Sequence, residues 1–104
     1  MFARCVSIRL NPHTLADFGE TFEKYVLPLL RQQTGFRDVI TLAAEGGTHV
    51  TAISIWDSKE QADRCDRCAY YLNKLEKVLD GTPKVRVSAV INSTFHHIAA
   101  VTAA

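Results

Sequence analysis

No stretch of this 104-residue chain approaches the roughly 20 consecutive apolar residues that a membrane-spanning helix needs. Blocks of like charge are missing too. The 12 basic and 11 acidic side chains are scattered and leave a formal net charge of +1, so there is no basic stripe to neutralise phosphates and nucleic-acid binding is not expected. Cysteine is scarce: there are three, an odd number, and the first residues do not show a cationic stretch followed by an apolar one. The expectation is therefore a cytoplasmic protein without a disulfide framework, in which Asn92-Ser93-Thr94 carries no weight as a glycosylation site. A Gly-rich phosphate loop after a strand is also missing, so nucleotide and flavin cofactors are not expected. Nothing resembles a Ser-His-Asp or paired-carboxylate arrangement.

What remains is 47% apolar, enough for one domain over residues 1–104, with a core over residues 2–91. Phe2, Arg4, Val6, Ile8 and Leu10 alternate with Ala3, Cys5, Ser7 and Arg9, the period-two pattern of a strand. Pro12 and Thr14 open a helix in which Leu15, Phe18, Phe22, Tyr25, Val26, Leu29 and Leu30 follow the 3.6-residue period. Thr14 and Asp17 have capping-box spacing. Pro28 removes a backbone donor, so the last turn is expected to bend before Gly35 ends the helix. Val39 to Ala44 and His49 to Trp56 are β-prone and flank Gly46-Gly47, a hairpin signal. Ser58 and Gln61 form a second capping box, and Ala62, Cys65, Ala69, Leu72, Leu75 and Leu79 mark the apolar arc of a helix closed by Gly81 and Pro83. Lys84 to Ile91 alternates again, and the tail from Asn92 to Ala104 has room for a short edge strand.

The order βαββαβ predicts a ferredoxin-like α+β fold with two helices on one face of a four-stranded antiparallel sheet. If Gly46 and Gly47 are the central turn residues, Ile40 pairs with Ile53 and Leu42 with Thr51. Ile40, Leu42, Ile53 and Ile55 then share one face, while Val39, Thr41, Ala43, Val50, Ala52, Ser54 and Trp56 share the other. Both faces are substantially apolar and the helices cover one, so the uncovered face predicts a sheet-to-sheet homodimer.

Trp56 is the single tryptophan, placed where a strand gives way to a helix N-terminus, a natural wall for a ligand cavity. Cys65 and Cys68 form a Cys-x-x-Cys pair on the arc of the second helix, where cysteine packs as a small hydrophobe, and no metal site is expected. His13 belongs to a helix-entry loop. His49 falls on the face assigned to the dimer, and an extended tail points His96 and His97 to opposite sides, so one could serve as a base toward an acidic phenol. Arg4 and Arg86 interrupt otherwise apolar alternation. Arg4, in the apolar register, must be paired with Asp or Glu, snorkelled or used on an anionic ligand. Tyr70 and Tyr71 lie off the apolar arc, a rim position.

The runs Leu27-Pro28-Leu29-Leu30-Arg31-Gln32-Gln33-Thr34-Gly35-Phe36 and Ile53-Ser54-Ile55-Trp56-Asp57-Ser58-Lys59-Glu60-Gln61-Ala62 resemble the antibiotic biosynthesis monooxygenase superfamily of dimeric α+β barrels. The resemblance implies a cavity between sheet and helices bordered by Trp56, and an activity as a cofactor-free monooxygenase on a quinol or polyphenol-type aromatic. Candidate substrate-binding residues are Trp56, Ser54, Val50, Ala52 and Phe22; candidate catalytic residues are His96, Arg86 and Arg4. Members that oxidise aromatic polyketides place an Asn four residues before this Trp, where it can hydrogen-bond a developing oxyanion. Here Ala52 stands there, and a methyl group offers no such donor. The haem-degrading branch carries a second Trp near the position of Cys65 and a His on the following helix, but no His lies between Ser58 and Asp80, so haem is not implied. The alternative is a non-catalytic dimeric barrel that binds a small apolar ligand or serves as an accessory protein.

Overall fold

A computed structural model describes residues 1–64 and 68–98, with the side chains of residues 68, 69 and 72 outside that description. Four strands, β1 (Phe2–Arg9), β2 (Phe36–Ala43), β3 (His49–Trp56) and β4 (Lys84–Ala89), form one antiparallel sheet in the order β2-β3-β1-β4. Between β1 and β2 run α1 (Leu15–Thr21), a π-helical turn (Phe22–Val26) and α2 (Leu27–Arg31). Between β3 and β4 run α3 (Lys59–Arg64), α4 (Cys68–Leu75) and a 3-10 turn (Glu76–Val78). This is the ferredoxin-like βαββαβ arrangement.

The hairpin register is the one its sequence predicts, with Ile40 opposite Ile53 and Leu42 opposite Thr51. The turn is wider than two residues. Ala44 donates to His49 O, Gly47 donates to Ala44 O, and only the second glycine takes a positive φ, +74°. Equal lengthening on both sides leaves the register unchanged. β3 then pairs with β1 so that Trp56, Ser54, Ala52 and Val50 stand opposite Phe2, Arg4, Val6 and Ile8 on the helix-covered face. Trp56, Phe18, Leu10 and Val50 are the largest fully buried side chains. Burying each such side chain stabilises by about 1.5–3 kcal/mol.

The helices depart from the sequence pattern in two places. Thr14 is the N-cap residue of α1, but its hydroxyl donates back to Asn11 O at 2.7 Å and makes no capping bond, so the Thr14–Asp17 capping box is not formed. The bend expected after Pro28 instead precedes it as the π-helical turn. The proline ring would crowd the carbonyl four residues back, Lys24, and the wider turn around Lys24 relieves that clash. The extra residue shifts the helix phase, so Tyr25 is exposed while Val26 and Leu30 are buried. The second helical segment is described as α3 and α4, and Cys65 with its place on the arc lies outside the described residues.

The second capping box is formed in both directions: Ser58 N donates to Gln61 Oε1 and Gln61 N donates to Ser58 Oγ, each at 3.2 Å. Gly35 fits against it. Its φ is +84°, its carbonyl accepts from Asp57 N at 2.9 Å, and a Cβ on it would fall within 2.5 Å of the Gln61 amide group. Among the described residues the tail forms no strand; it runs from β4 at one edge of the sheet to Asp38 on β2 at the other, where His96 Nε2 lies 3.6 Å from Asp38 Oδ2. No helix is long and apolar enough to cross a membrane among the described residues.

Gly35→Ala forces a left-handed conformation on a residue with a Cβ and drives Gln61 out of its capping contact. A loss of about 1–3 kcal/mol is expected, read as a lower urea midpoint with an unchanged slope.

Candidate functional site

Between the helix layer and the sheet lies an apolar cavity of about 110 Å³. The sheet supplies Arg4, Val6 and Ile8 from β1, Ala52, Ser54 and Trp56 from β3, and Val39 from β2. Phe22, Val26 and Leu30 close it from the first helical segment, Tyr71 and Leu75 from α4, with Pro83 and Val85 at the β4 side. An engineered apolar cavity of about 150 Å³ accepts benzene, so the scale is that of one aromatic ring. A second depression, about 430 Å³, lies next to it between α1 and the β2–β3 pair. Phe22 and Val39 line both and form the partition.

Trp56 is 1% exposed and forms the end wall. Its position is held on two sides. The indole Nε1–H donates to Ser54 Oγ at 2.8 Å, and the Ser54 hydroxyl donates in turn to the Arg4 carbonyl at 3.4 Å. Phe36, its neighbour on β2, meets the indole edge-on at 5.4 Å between centroids and 74° between planes. Serine at this spot is explained by strand periodicity: two residues before Trp56 places its hydroxyl on the same face, within reach of the buried indole donor.

Arg4 is the only charged side chain on the cavity wall among the described residues. Pairing with Asp or Glu, one of the uses its sequence position suggested, is not seen among the described residues. Nη1 donates to two backbone carbonyls of α3, Ala62 O at 2.8 Å and Asp63 O at 3.3 Å. Arg4 takes part in no ion pair within 4.0 Å among the described residues. Its Nε is buried without a hydrogen-bond partner among them. Burial pulls the guanidinium below its usual pKa, opposed by the carboxylate of Asp63, and it remains charged at neutral pH.

The cavity thus brings together Trp56, Ser54, Ala52, Phe22 and Arg4 from the residues singled out in the sequence. Val50 lines the neighbouring depression instead. Arg86 pairs with Cys5 on the opposite, uncovered face and is exposed, and His96 sits beside Asp38 away from the cavity. His13, with a φ of +63°, His49 and His97 are exposed. Cys5 is a free thiol on the uncovered face, and the side chain of Cys68 lies outside the described residues, as does Cys65. Tyr71 departs from its expected rim position: it is buried, lines the cavity, and its hydroxyl accepts a hydrogen bond from Gln33 Nε2. The signal was there in its spacing, since Tyr71 lies four residues before Leu75 and hence on the same helix face. Tyr70 is exposed, packed edge-on against Tyr71 and beneath the Lys74 ammonium at 5.3 Å.

Ser54→Ala leaves the buried indole donor of Trp56 unsatisfied. A destabilisation of about 1–3 kcal/mol is expected, measured by chemical denaturation against the unaltered chain.

Comparison with known proteins places this geometry. The antibiotic biosynthesis monooxygenase family model matches residues 1–71. A monooxygenase from the gene ActVA-Orf6 of Streptomyces coelicolor, solved in complex with nanaomycin D, superimposes with a TM-score of 0.69 at 26% identity, over 88% of this chain and 92% of that one. SnoaB, a cofactor-independent oxygenase from Streptomyces nogalater solved as an Asn-to-Ala variant, superimposes with a TM-score of 0.69 at 14% identity, over 89% and 95% of the two chains. A protein from Bordetella bronchiseptica described as an antibiotic biosynthesis monooxygenase gives a TM-score of 0.76 at 16% identity, over 88% and 97%. Among curated protein sequences none matches. By the match of its first two thirds, and with the fold those structures share, the chain belongs to the antibiotic biosynthesis monooxygenase family.

Proposed function

We propose that the protein is a cofactor-independent monooxygenase acting on a small quinol or polyphenol whose ring enters the cavity beside Trp56. The observation that carries this reading is an apolar, ring-sized cavity walled by the single tryptophan, in a chain of this family. Two relatives in fold support it: one is a cofactor-independent oxygenase, and the other holds nanaomycin D. Trp56, Ser54, Ala52 and Phe22 are the substrate-binding residues in this reading.

The chemistry needs no bound cofactor when the substrate is itself the electron donor. An ionised phenol transfers an electron to O2, the two radicals combine at a ring carbon, and loss of water leaves a carbonyl. One O2 is consumed; one of its atoms enters the ring, and the other leaves as water with the ring C–H and phenol O–H hydrogens. The apolar walls exclude water from this sequence of steps and hold the ring in one pose. Ala52 is the observation that favours a second reading, a barrel that binds such a ring without oxidising it, because its methyl group gives no hydrogen bond to an oxyanion.

Oxygen uptake with a panel of hydroquinones separates the two. The monooxygenase reading expects turnover at least tenfold above spontaneous oxidation and a several-fold fall in Trp56→Phe, which keeps most of the core volume. Uptake at the spontaneous rate, with ligand still quenching Trp56 fluorescence, overturns it in favour of the binding reading.

The assembly proposed is a homodimer through the uncovered sheet face, Ile40, Leu42, Ile53 and Ile55. Ile40 is 46% and Leu42 53% exposed, a pair of large apolar side chains with no helix above them. Leu42→Glu would bury an unpaired carboxylate in that contact without touching the chain's own core. Sedimentation at micromolar concentration is expected to give a dimer for the natural chain and a monomer for Leu42→Glu with an unchanged circular dichroism spectrum; a monomeric natural chain refutes the dimer.

A further inference from the structure

An arginine on the wall of an apolar cavity calls for a physical account of where its charge and its five donors go. In Arg4 the account is incomplete in one direction. Its Nη1 is held by the carbonyls of Ala62 and Asp63, so the guanidinium is fixed by backbone rather than free to swing into solvent. Its Nε–H is buried with no acceptor among the described residues, and no carboxylate among them lies within 4.0 Å. A buried donor without a partner costs about 1–3 kcal/mol, more when the group is charged, so the site gains from any acceptor that arrives with a ligand.

Position strengthens the argument. Arg4 stands opposite Ser54 in the β1–β3 register, and Val6, the next inward residue of β1, stands opposite Ala52. The cation therefore sits one residue pair from Ala52 and shares a cavity wall with Trp56. We propose that Arg4 is the anion-recognising residue of this cavity, donating from Nε to the oxygen of an aromatic ligand bound as its phenolate. This rests on the reading of the cavity as an aromatic-ligand site and names the form of the ligand it takes. On binding, the phenol O–H bond breaks heterolytically; its proton goes to bulk water and both electrons remain on the oxygen that Arg4 holds. The anion is also the form that surrenders an electron to O2 more readily, so Arg4 supplies in another place the oxyanion contact that Ala52 cannot make.

The test uses 4-nitrophenol and its methyl ether, 4-nitroanisole, on the whole chain. Quenching of Trp56, the single tryptophan, reads occupancy, and the visible band of nitrophenolate reads ionisation. At a pH where the free phenol is mostly ionised, it is expected to bind roughly ten- to a hundredfold more tightly than the ether. Bound nitrophenol should stay yellow at pH values where free nitrophenol is colourless. Arg4→Gln should abolish the preference of phenol over ether, and Arg4→Lys, which keeps the charge but not the fork, should retain only part of it. If the ether binds as well as the phenol, or the bound phenol is harder to ionise than the free one, the proposal is overturned and the aromatic-site reading stands. Should neither compound quench Trp56, both fall. If Arg4→Gln does not fold, the natural chain's phenol-to-ether ratio and the Arg4→Lys result decide.

Discussion

Everything at the cavity depends on β3 being paired on both sides, with β1 and with β2, in a single register. Side chains alternate with a period of two, so a one-residue slip against either neighbour would send Trp56, Ser54, Ala52 and Val50 to the uncovered face and bring Ile53 and Ile55 under the helices. The register is held by backbone hydrogen bonds along both edges and by the burial of alternate residues from Val50 to Trp56. Because the strand is central, its inward side chains are enclosed by sheet neighbours as well as helices. That enclosure makes a small apolar cavity possible at this point of the fold.

A polar thread crosses the cavity wall. Trp56 donates to Ser54, Ser54 donates to the carbonyl of Arg4, and the Arg4 guanidinium donates to the Ala62 carbonyl of α3. Three elements are tied by groups that would otherwise be costly to bury. The wall is therefore braced where the indole stands, and the cation in it is held by uncharged carbonyls, without an ion pair within 4.0 Å among the described residues. Under the proposed reading, an apolar cavity walled by Arg4, its one cation among the described residues, would take a flat ring and discriminate by the charge of the ring's substituent.

Much of the fold was legible because it is written in short-range periodicity. The alternation of Phe2 to Leu10, the hairpin around Gly46-Gly47 and the reciprocal capping of Ser58 and Gln61 are local devices, and each appears where the sequence places it. The failures are of phase. Pro28 was correctly an irregularity, but relief of its clash at Lys24 required a wider turn upstream, which rotated Tyr25 out of the core. Tyr71 was misplaced because it was read as lying off the apolar arc, although it stands four residues before Leu75 and both are buried.

From sequence alone the strand register, the inward face of β3 and hence the place of Trp56 were determined, since these follow from a period of two and a turn that fixes pairing. Which of Arg4, Arg86 and His96 stands in the cavity was decided only by tertiary structure. Arg86 and Arg4 lie on antiparallel neighbours one register position apart, and that single step puts them on opposite faces. His96 is carried to Asp38 by a tail with no periodic pattern to read. The carbonyls that hold Arg4 come from α3, 58 and 59 residues away along the chain, a contact that forms only when α3 packs on the sheet.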